Sequence, residues 1–424
     1  MNKPNIMENR HKPIVIVAIV TAISLLGDSM LYIVLPIYWK EVGLNSLWEV
    51  GILLSVNRFV RLPLNPFIGW LYKRMSLRTG LLTAIGLGVV TTFGYGFGKG
   101  FAIWLILRLI WGLAWSLLRM GGYFTVIHYS DDTNRGRLMG KYNGIYRLGS
   151  LVGLLVGGIM TPLLGIQVIA VLFGIMSLAG LPLILLSVKN EKVTGSSSGF
   201  NRAHLKRDLW TKPVMRVIVS GMLTSLLFMI IGSTLSLVID SIYSNTLGSN
   251  TLEISGFVLG STALSGIILA ARWAWEPFLA SWFGHLSDGP RGRVPAFLVT
   301  LVCSAIGFAL IPWPFPLYLW IVIILLVLVA GTAMTTLMDA MAIDAGRLSS
   351  VITVMTAYSV ATDLGAALGP LLSFWFVEVT GSLTSVYLGA AVIFVLIALW
   401  HYPLRTGEQV KIRADGNTKT MDGG

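Results

Sequence analysis

Two stretches decide the fold: Trp104-Leu105-Ile106-Leu107-Arg108-Leu109-Ile110-Trp111-Gly112 and, further on, Gly149-Ser150-Leu151-Val152-Gly153-Leu154-Leu155-Val156-Gly157-Gly158. The first sets one arginine inside a lipid-soluble run. The second is a glycine ladder at four-residue spacing. Between them lies Arg135-Gly136-Arg137, too polar to sit inside a bilayer. A charge in hydrocarbon is expensive, so Arg108 is by default a functional-site hypothesis. Glycines repeated at helical spacing lay a flat stripe along one face, where a second helix can come close. The pair of stretches therefore reads as a transport pathway and the hinge that opens it.

Composition agrees. Apolar residues make up 55% and charged residues 12% of 424, against roughly 25% charged in soluble domains. Many apolar runs reach the ~20 residues that cross a bilayer as a helix. The net charge of +12 invites a nucleic-acid reading, but the basic residues sit mostly in short loops between apolar runs, the signature of cytoplasmic loops. A single cysteine, Cys303, excludes a disulfide framework and a Cys-based metal site. Histidine is scarce, so no metal site is expected, and no cofactor. The N-terminal run from Ile14, preceded by Lys3, Arg10 and Lys12, imitates a signal peptide. No small-x-small cleavage site follows, and it reads as a retained first helix.

The expected spans are 14–39, 47–71, 78–98, 101–127, 138–161, 166–188, 214–239, 254–284, 293–311, 315–343, 349–377 and 382–402. Twelve spans with an inside start put both termini in the cytoplasm of a cell-membrane protein. On that count the cytoplasmic segments hold nearly every loop lysine and arginine, and the external ones only Lys40 and Lys99. Residues 189–212, with Gly195-Ser196-Ser197-Ser198-Gly199, form a linker. It separates a first six-helix half, 1–188, from a second, 213–403, and 404–424 reads as a disordered cytoplasmic tail. Gly69 and Gly284 are 215 residues apart; Gly149 and Gly365, then Gly153 and Gly369, are 216 apart. A constant offset indicates an internal repeat. Six passes return the chain to the same side, so the two repeats are parallel. The fold class is thus an all-α integral membrane protein of twelve helices in two parallel six-helix repeats.

The chain resembles the major facilitator superfamily of transporters over roughly residues 13 to 402. The family's fourth-helix Arg-x-x-x-Gly falls on Arg108 and Gly112. Its fifth-helix antiporter pattern, Gly-x-x-x-Gly-Pro-x-x-Gly-Gly, falls on Gly149, Gly153, Gly157 and Gly158, with Leu154 in place of the proline. Asp28-Ser29-Met30-Leu31-Tyr32-Ile33-Val34-Leu35-Pro36 is similar to the first-helix signature of drug-exporter-like members. In the helix 2–3 turn, Lys73 replaces the family's aspartate and Ser76 its second glycine. The second half keeps Gly284-His285-Leu286-Ser287-Asp288, so Asp288 is a candidate for the gating contact. The ladder pairs with Gly365-Ala366-Ala367-Leu368-Gly369-Pro370, where Pro370 can kink its helix.

The resemblance implies that helices 1 and 4 stand side by side on a central cavity. Asp28 lies about 21 Å from the inner start of its span and Arg108 about 10 Å from the outer start of its own, one level in a ~30 Å core. An acid beside an arginine there can alternate between a proton and a salt bridge, coupling protons to movement; the plainer reading is a fixed structural pair. Tyr32, Arg58 and Arg119 complete the cavity candidates, although Arg119 could equally snorkel to headgroups. Arg272 and Glu276, four apart on one helix face, could simply neutralise each other. The family sets helix 2 against helix 11 and helix 5 against helix 8. On that arrangement Arg61 is expected to meet Asp363, and Arg147 to meet Glu276, as cytoplasmic gates.

The function expected is secondary active transport by alternating access, proton-coupled and directed outward, of a small amphiphilic or anionic or zwitterionic molecule. Other readings are a metal-chelating metabolite or lipid-headgroup exporter, an organic-anion importer or facilitator, and a non-transporting sensor or membrane enzyme. No Gly-x-x-x-x-Gly-Lys-Ser/Thr loop is present, so ATP is not the direct energy source. The partners expected are the bilayer, a small molecule and protons, with no nucleic acid, no enzymatic activity and a monomeric chain.

Overall fold

A computed structural model describes residues 3–131, 134–191, 211–247, 251–254, 257–287, 292–347 and 351–421. Its helices are α1 (Lys3–Tyr38), α2 (Leu47–Tyr72), α3 (Leu77–Phe97), α4 (Phe101–Tyr129), α5 (Arg135–Leu178), α6 (Gly180–Ser187), α7 (Lys212–Leu247), α8 (Ser261–Ser287), α9 (Val294–Leu310), α10 (Leu317–Arg347), α11 (Val351–Thr380) and α12 (Leu383–Met421).

Eight helices among the described residues are long and apolar enough to cross a membrane. One of them, Arg135–Ser187, runs for 53 residues, about 80 Å at the helical rise. Gly165 breaks it with φ 82°, a left-handed conformation that a glycine adopts without a Cβ clash. This stretch therefore makes two passes. α2 and α8 carry internal charges at Arg58, Arg61, Arg272 and Glu276, and α9 is 17 residues long. Taken with these, the helices fit twelve passes.

Helix starts follow local chemistry. Ser46 caps α2 by accepting from the Glu49 N–H at 3.3 Å, and Glu49 reaches back to the Asn45 N–H at 2.8 Å. Ser76 caps α3 in the same way, from the Thr79 N–H at 3.1 Å. Each side-chain oxygen satisfies a donor that the first helical turn would otherwise leave bare.

The eighth span begins at Ser261 rather than residue 254. The preceding residues form an antiparallel hairpin, β1 (Thr251–Ile254) paired with β2 (Phe257–Gly260), with Thr251 opposite Gly260. The β-branched and aromatic residues of that stretch suit a strand, and the local ladder satisfies backbone groups outside the helix. α12 runs on to Met421 through the stretch expected to be a disordered tail. Adding a residue to an existing helix is far easier than starting one.

The chain divides into two compact units. The first comprises Met1–Asn201, Phe228–Trp275 and Ala366–Gly381; the second comprises Arg202–Leu227, Glu276–Gly365 and Ser382–Gly424. In the first unit, a core of Val17, Ile68, Tyr72, Leu81, Ile85, Leu118 and Tyr142 joins the early helices. Tyr72 donates to the Leu117 carbonyl at 2.9 Å. In the second unit, Phe308 of α9 packs edge-on to Phe394 of α12 at 5.0 Å. There Ser225 of α7 also donates to the Thr362 carbonyl of α11 at 2.9 Å.

The repeat is visible in how the glycines pack. Gly149 of α5 faces the Ala22 carbonyl of α1. Its counterpart Gly365 of α11 faces the Met222 carbonyl of α7. In each repeat the glycine helix lies on the first helix of that repeat.

Candidate functional site

Asp28 on α1 and Arg108 on α4 meet. Arg108 donates through Nη1 to Asp28 Oδ1, and through Nε to the Leu53 carbonyl of α2 at 2.8 Å. The arginine is fully buried, whereas the Asp28 side chain keeps 12% exposure. Breaking such a pair by removing one partner leaves an uncompensated charge, a loss of about 3–5 kcal/mol. Gly112, one turn beyond Arg108, is what brings α4 onto α2. A Cβ there would lie 2.8 Å from the Asn57 carbonyl oxygen and 2.9 Å from Val60.

Asn57 donates from Nδ2 to Asp28 Oδ1 across a long 3.4 Å. Arg58, the next residue, donates from Nε to the Tyr32 hydroxyl at 3.4 Å and points Nη2 at Met229 Sδ of α7, 3.8 Å away. Tyr95 of α3 brings its hydroxyl beside the Arg108 guanidinium. The site is thus an acid with one oxygen held by polar donors and part of its surface open.

Arg119 lies against the aromatics of the same bundle. Its Nε is 3.2 Å from the Tyr123 hydroxyl, and its guanidinium is 5.8 Å from that ring. Tyr123, Tyr142, Tyr146, Trp115 and Trp111 follow one another edge to face, tilted or stacked, with centroids 5.3–6.5 Å apart. This aromatic ladder between α4 and α5 was not singled out in the sequence. Its period, Trp111 and Trp115 on one helix and Tyr142 and Tyr146 on the other, was the available signal.

The glycine ladder presses α5 onto α1. A Cβ on Gly153 would meet the Leu26 carbonyl oxygen at 2.6 Å, and one on Gly157 would meet Met30 Cβ at 2.5 Å. Leu148, Val152 and Val156, on the adjoining face, are exposed. Gly158 turns instead to α8, where Thr262 donates to its carbonyl at 3.1 Å. Gly266 of α8 in turn meets the Leu154 carbonyl oxygen, 2.5 Å from an added Cβ. Across the bundle Gly51 of α2 meets the Pro370 carbonyl oxygen of α11 at 3.1 Å by the same measure. Gly51 and Gly266 escaped the sequence reading although they share the 215-residue offset of Gly69 and Gly284. By position along their helices, the contacts of Gly157, Gly158, Gly266 and Gly51 lie toward the ends that the sequence reading expects outside. Gly369 and Pro370 are both buried on α11.

Of the expected gate residues, Arg61 is buried on α2 and Asp363 is half-buried on α11. Arg147 is exposed on α5 and lies over the Trp273 ring of α8 at 5.6 Å; Arg272 approaches the same ring at 5.9 Å. Glu276 follows one turn on, half-buried. Asp288 lies outside the described residues. In the second unit Tyr358 donates to Asp339 at 2.9 Å, and Ser220 bonds the buried His401 ring at 2.9 Å.

Fold and site together define a multi-pass membrane transporter. The Major Facilitator Superfamily model matches residues 17–352, and the chain belongs to that family. It is 26% identical over 297 residues to an Escherichia coli protein described as an uncharacterized MFS-type transporter, YcaD, covering 70% of this chain and 72% of that one. It is also 31% identical over 123 residues to the Bos taurus synaptic vesicular amine transporter. That match covers 29% of this chain and only 24% of the relative's length. Among solved structures, the nucleoside transporter NupG superposes with a TM-score of 0.75 at 13% identity, covering 95% of this chain and 99% of that one. A bacterial homolog to the human lysosomal transporter Spinster, inward-facing and unoccupied, gives 0.70 at 14%, covering 97% and 99%. At these identities the structures speak for the fold alone.

Proposed function

We propose that the chain is a proton-coupled secondary transporter of the cell membrane that works by alternating access and exports a small amphiphilic or anionic or zwitterionic molecule. Both termini are cytoplasmic in this reading. The observation that carries it is the Asp28–Arg108 pair: a fully buried guanidinium on a carboxylate that retains 12% exposure. Protonating Asp28 removes the attraction between α1 and α4, while Arg108 keeps the Leu53 carbonyl. The buried Arg108 charge is then without its counter-ion, which favours a shift of the helices that offers it another anion or water. The glycine contacts of α2 with α11 and of α5 with α8 support a close-packed closure at the outer end.

The partial likeness to the vesicular amine transporters favours a second cargo, an organic amine seated on the open side of Asp28. Proteoliposomes with an imposed pH gradient test both. Uphill movement of organic anions or amphiphiles with counter-flow of protons is expected of the wild type, and its loss is expected of Asp28→Asn. Full gradient-driven accumulation by the folded, inserted variant overturns the assignment. Uphill movement of amines alone selects the second cargo.

A further inference from the structure

Asn57 combines three features that the ion pair does not explain. It is only 4% exposed. Its Nδ2 donates to Asp28 Oδ1, yet its own Oδ1 is buried with no hydrogen-bond partner among the described residues. Its backbone is held by the close approach of α4 at Gly112. A buried acceptor without a donor costs free energy, and each such case in a native structure calls for an explanation.

The donor that fits is the neighbour itself. Among the described residues, the hydrogen bonds to Asp28 from Asn57 and Arg108 both end on its Oδ1, and none falls on Oδ2. An ionised carboxylate only accepts, whereas a protonated one also donates. A primary amide carries both functions and exchanges them by turning over about its terminal bond.

We propose that Asn57 is a positioning residue of the proton step, donating to Asp28 while the carboxylate is ionised and turning over to accept from it once it is protonated. A proton from water forms the O–H bond at Oδ2, and the Asp28 charge is lost. The amide oxygen takes up that O–H, so the acid and the formerly bare acceptor satisfy each other, while the amide N–H groups give up the carboxylate. Release of the proton to water reverses both changes. The arginines facing Asp28 cannot serve in this way. Arg108 from α4 has donors only and already serves Leu53. Arg58 from α2 likewise only donates, and it engages Tyr32 of α1. Tyr95 from α3 stands beside Arg108. α5 meets this part of α1 through Gly153, at Leu26 and Ser29.

This inference rests on Asp28 taking a proton, and the experiment separates the two claims. Infrared difference spectra of the full-length protein in proteoliposomes are recorded between high and low pH. The band of a protonated carboxyl that vanishes in Asp28→Asn belongs to Asp28. In Asn57→Leu that band is expected at higher frequency, because the acid has lost its acceptor, and uphill transport should fall about fivefold, the factor that one ordinary hydrogen bond represents. Asn57→Ala serves if the leucine variant does not fold. Asn57→Ser, whose hydroxyl both donates and accepts, should bring the band back toward its wild-type position. An Asp28 band unmoved in Asn57→Leu or Asn57→Ala overturns the role of Asn57 and leaves Asp28 as carrier. If no band vanishes in Asp28→Asn, the carrier assignment falls and this inference falls with it.

Discussion

Gly51 of α2 rests on the carbonyl oxygen of Pro370 of α11, where an added Cβ would sit 3.1 Å from that oxygen and 2.9 Å from Phe374 Cβ. The same contact recurs 215–216 residues on, with Gly266 of α8 against the Leu154 carbonyl of α5. The glycines are counterparts in the repeat, and so are the residues that supply the oxygens. Leu154 stands where the family pattern has proline and Pro370 keeps it, yet both carbonyls receive a glycine. What the contact requires is a missing side chain on one helix, not the proline on the other.

Gly51→Val and Gly266→Val should each overpack one of these crossings, at about 1–3 kcal/mol. Transport is expected to drop in either variant, and further in the double variant, with the chain still inserted. Reconstituted transport together with detergent size-exclusion of the purified protein measures this. Wild-type transport in the double variant would show that the outer end never needs these contacts.

Gly153→Leu acts within one repeat, where an added Cβ already falls 2.6 Å from the Leu26 carbonyl oxygen. The same ~1–3 kcal/mol applies, and partial expression with loss of transport is the expected result. Val152→Leu, on the exposed neighbouring face, should leave both unchanged.

Arg108→Ala strands Asp28 without its guanidinium and deprives the Leu53 carbonyl of its donor. A loss of about 3–5 kcal/mol is expected, read as a lower melting temperature in detergent. Arg108→Ala with Asp28→Asn removes both charges and should recover much of that stability while remaining inactive. A double variant no more stable than the single one would mean that the pair contributes little.

The cytoplasmic gates expected from the sequence are a proposal that charge reversal tests. Arg61→Asp and Asp363→Arg should each impair transport, and the pair together should restore it; Arg147→Glu with Glu276→Arg should behave likewise. Like-charge pairs repel where opposite ones attract, so restoration isolates the pairwise interaction. If the double reversals remain as impaired as the single ones, the charges act elsewhere. For Arg147 the alternative surface is the Trp273 ring over which it lies.

The sequence by itself determined the passes, the parallel repeat, the glycine faces and the common level of Asp28 and Arg108. All of these are properties along a helix axis. Hydropathy reads length, the 3.6-residue period reads faces, and 1.5 Å per residue converts a position into a depth. Only the tertiary structure decided that the Leu53 carbonyl and the Asn57 amide complete the acid's surroundings. The same holds for Arg119 lying against Tyr123 and for Gly51 facing Pro370 rather than lipid. Those contacts depend on the rotation and lateral neighbours of each helix. In a bilayer, which gives helices no hydrophobic reason to associate, these are set by close packing and interhelical hydrogen bonds. Such terms belong to pairs of helices, so no single apolar run encodes them.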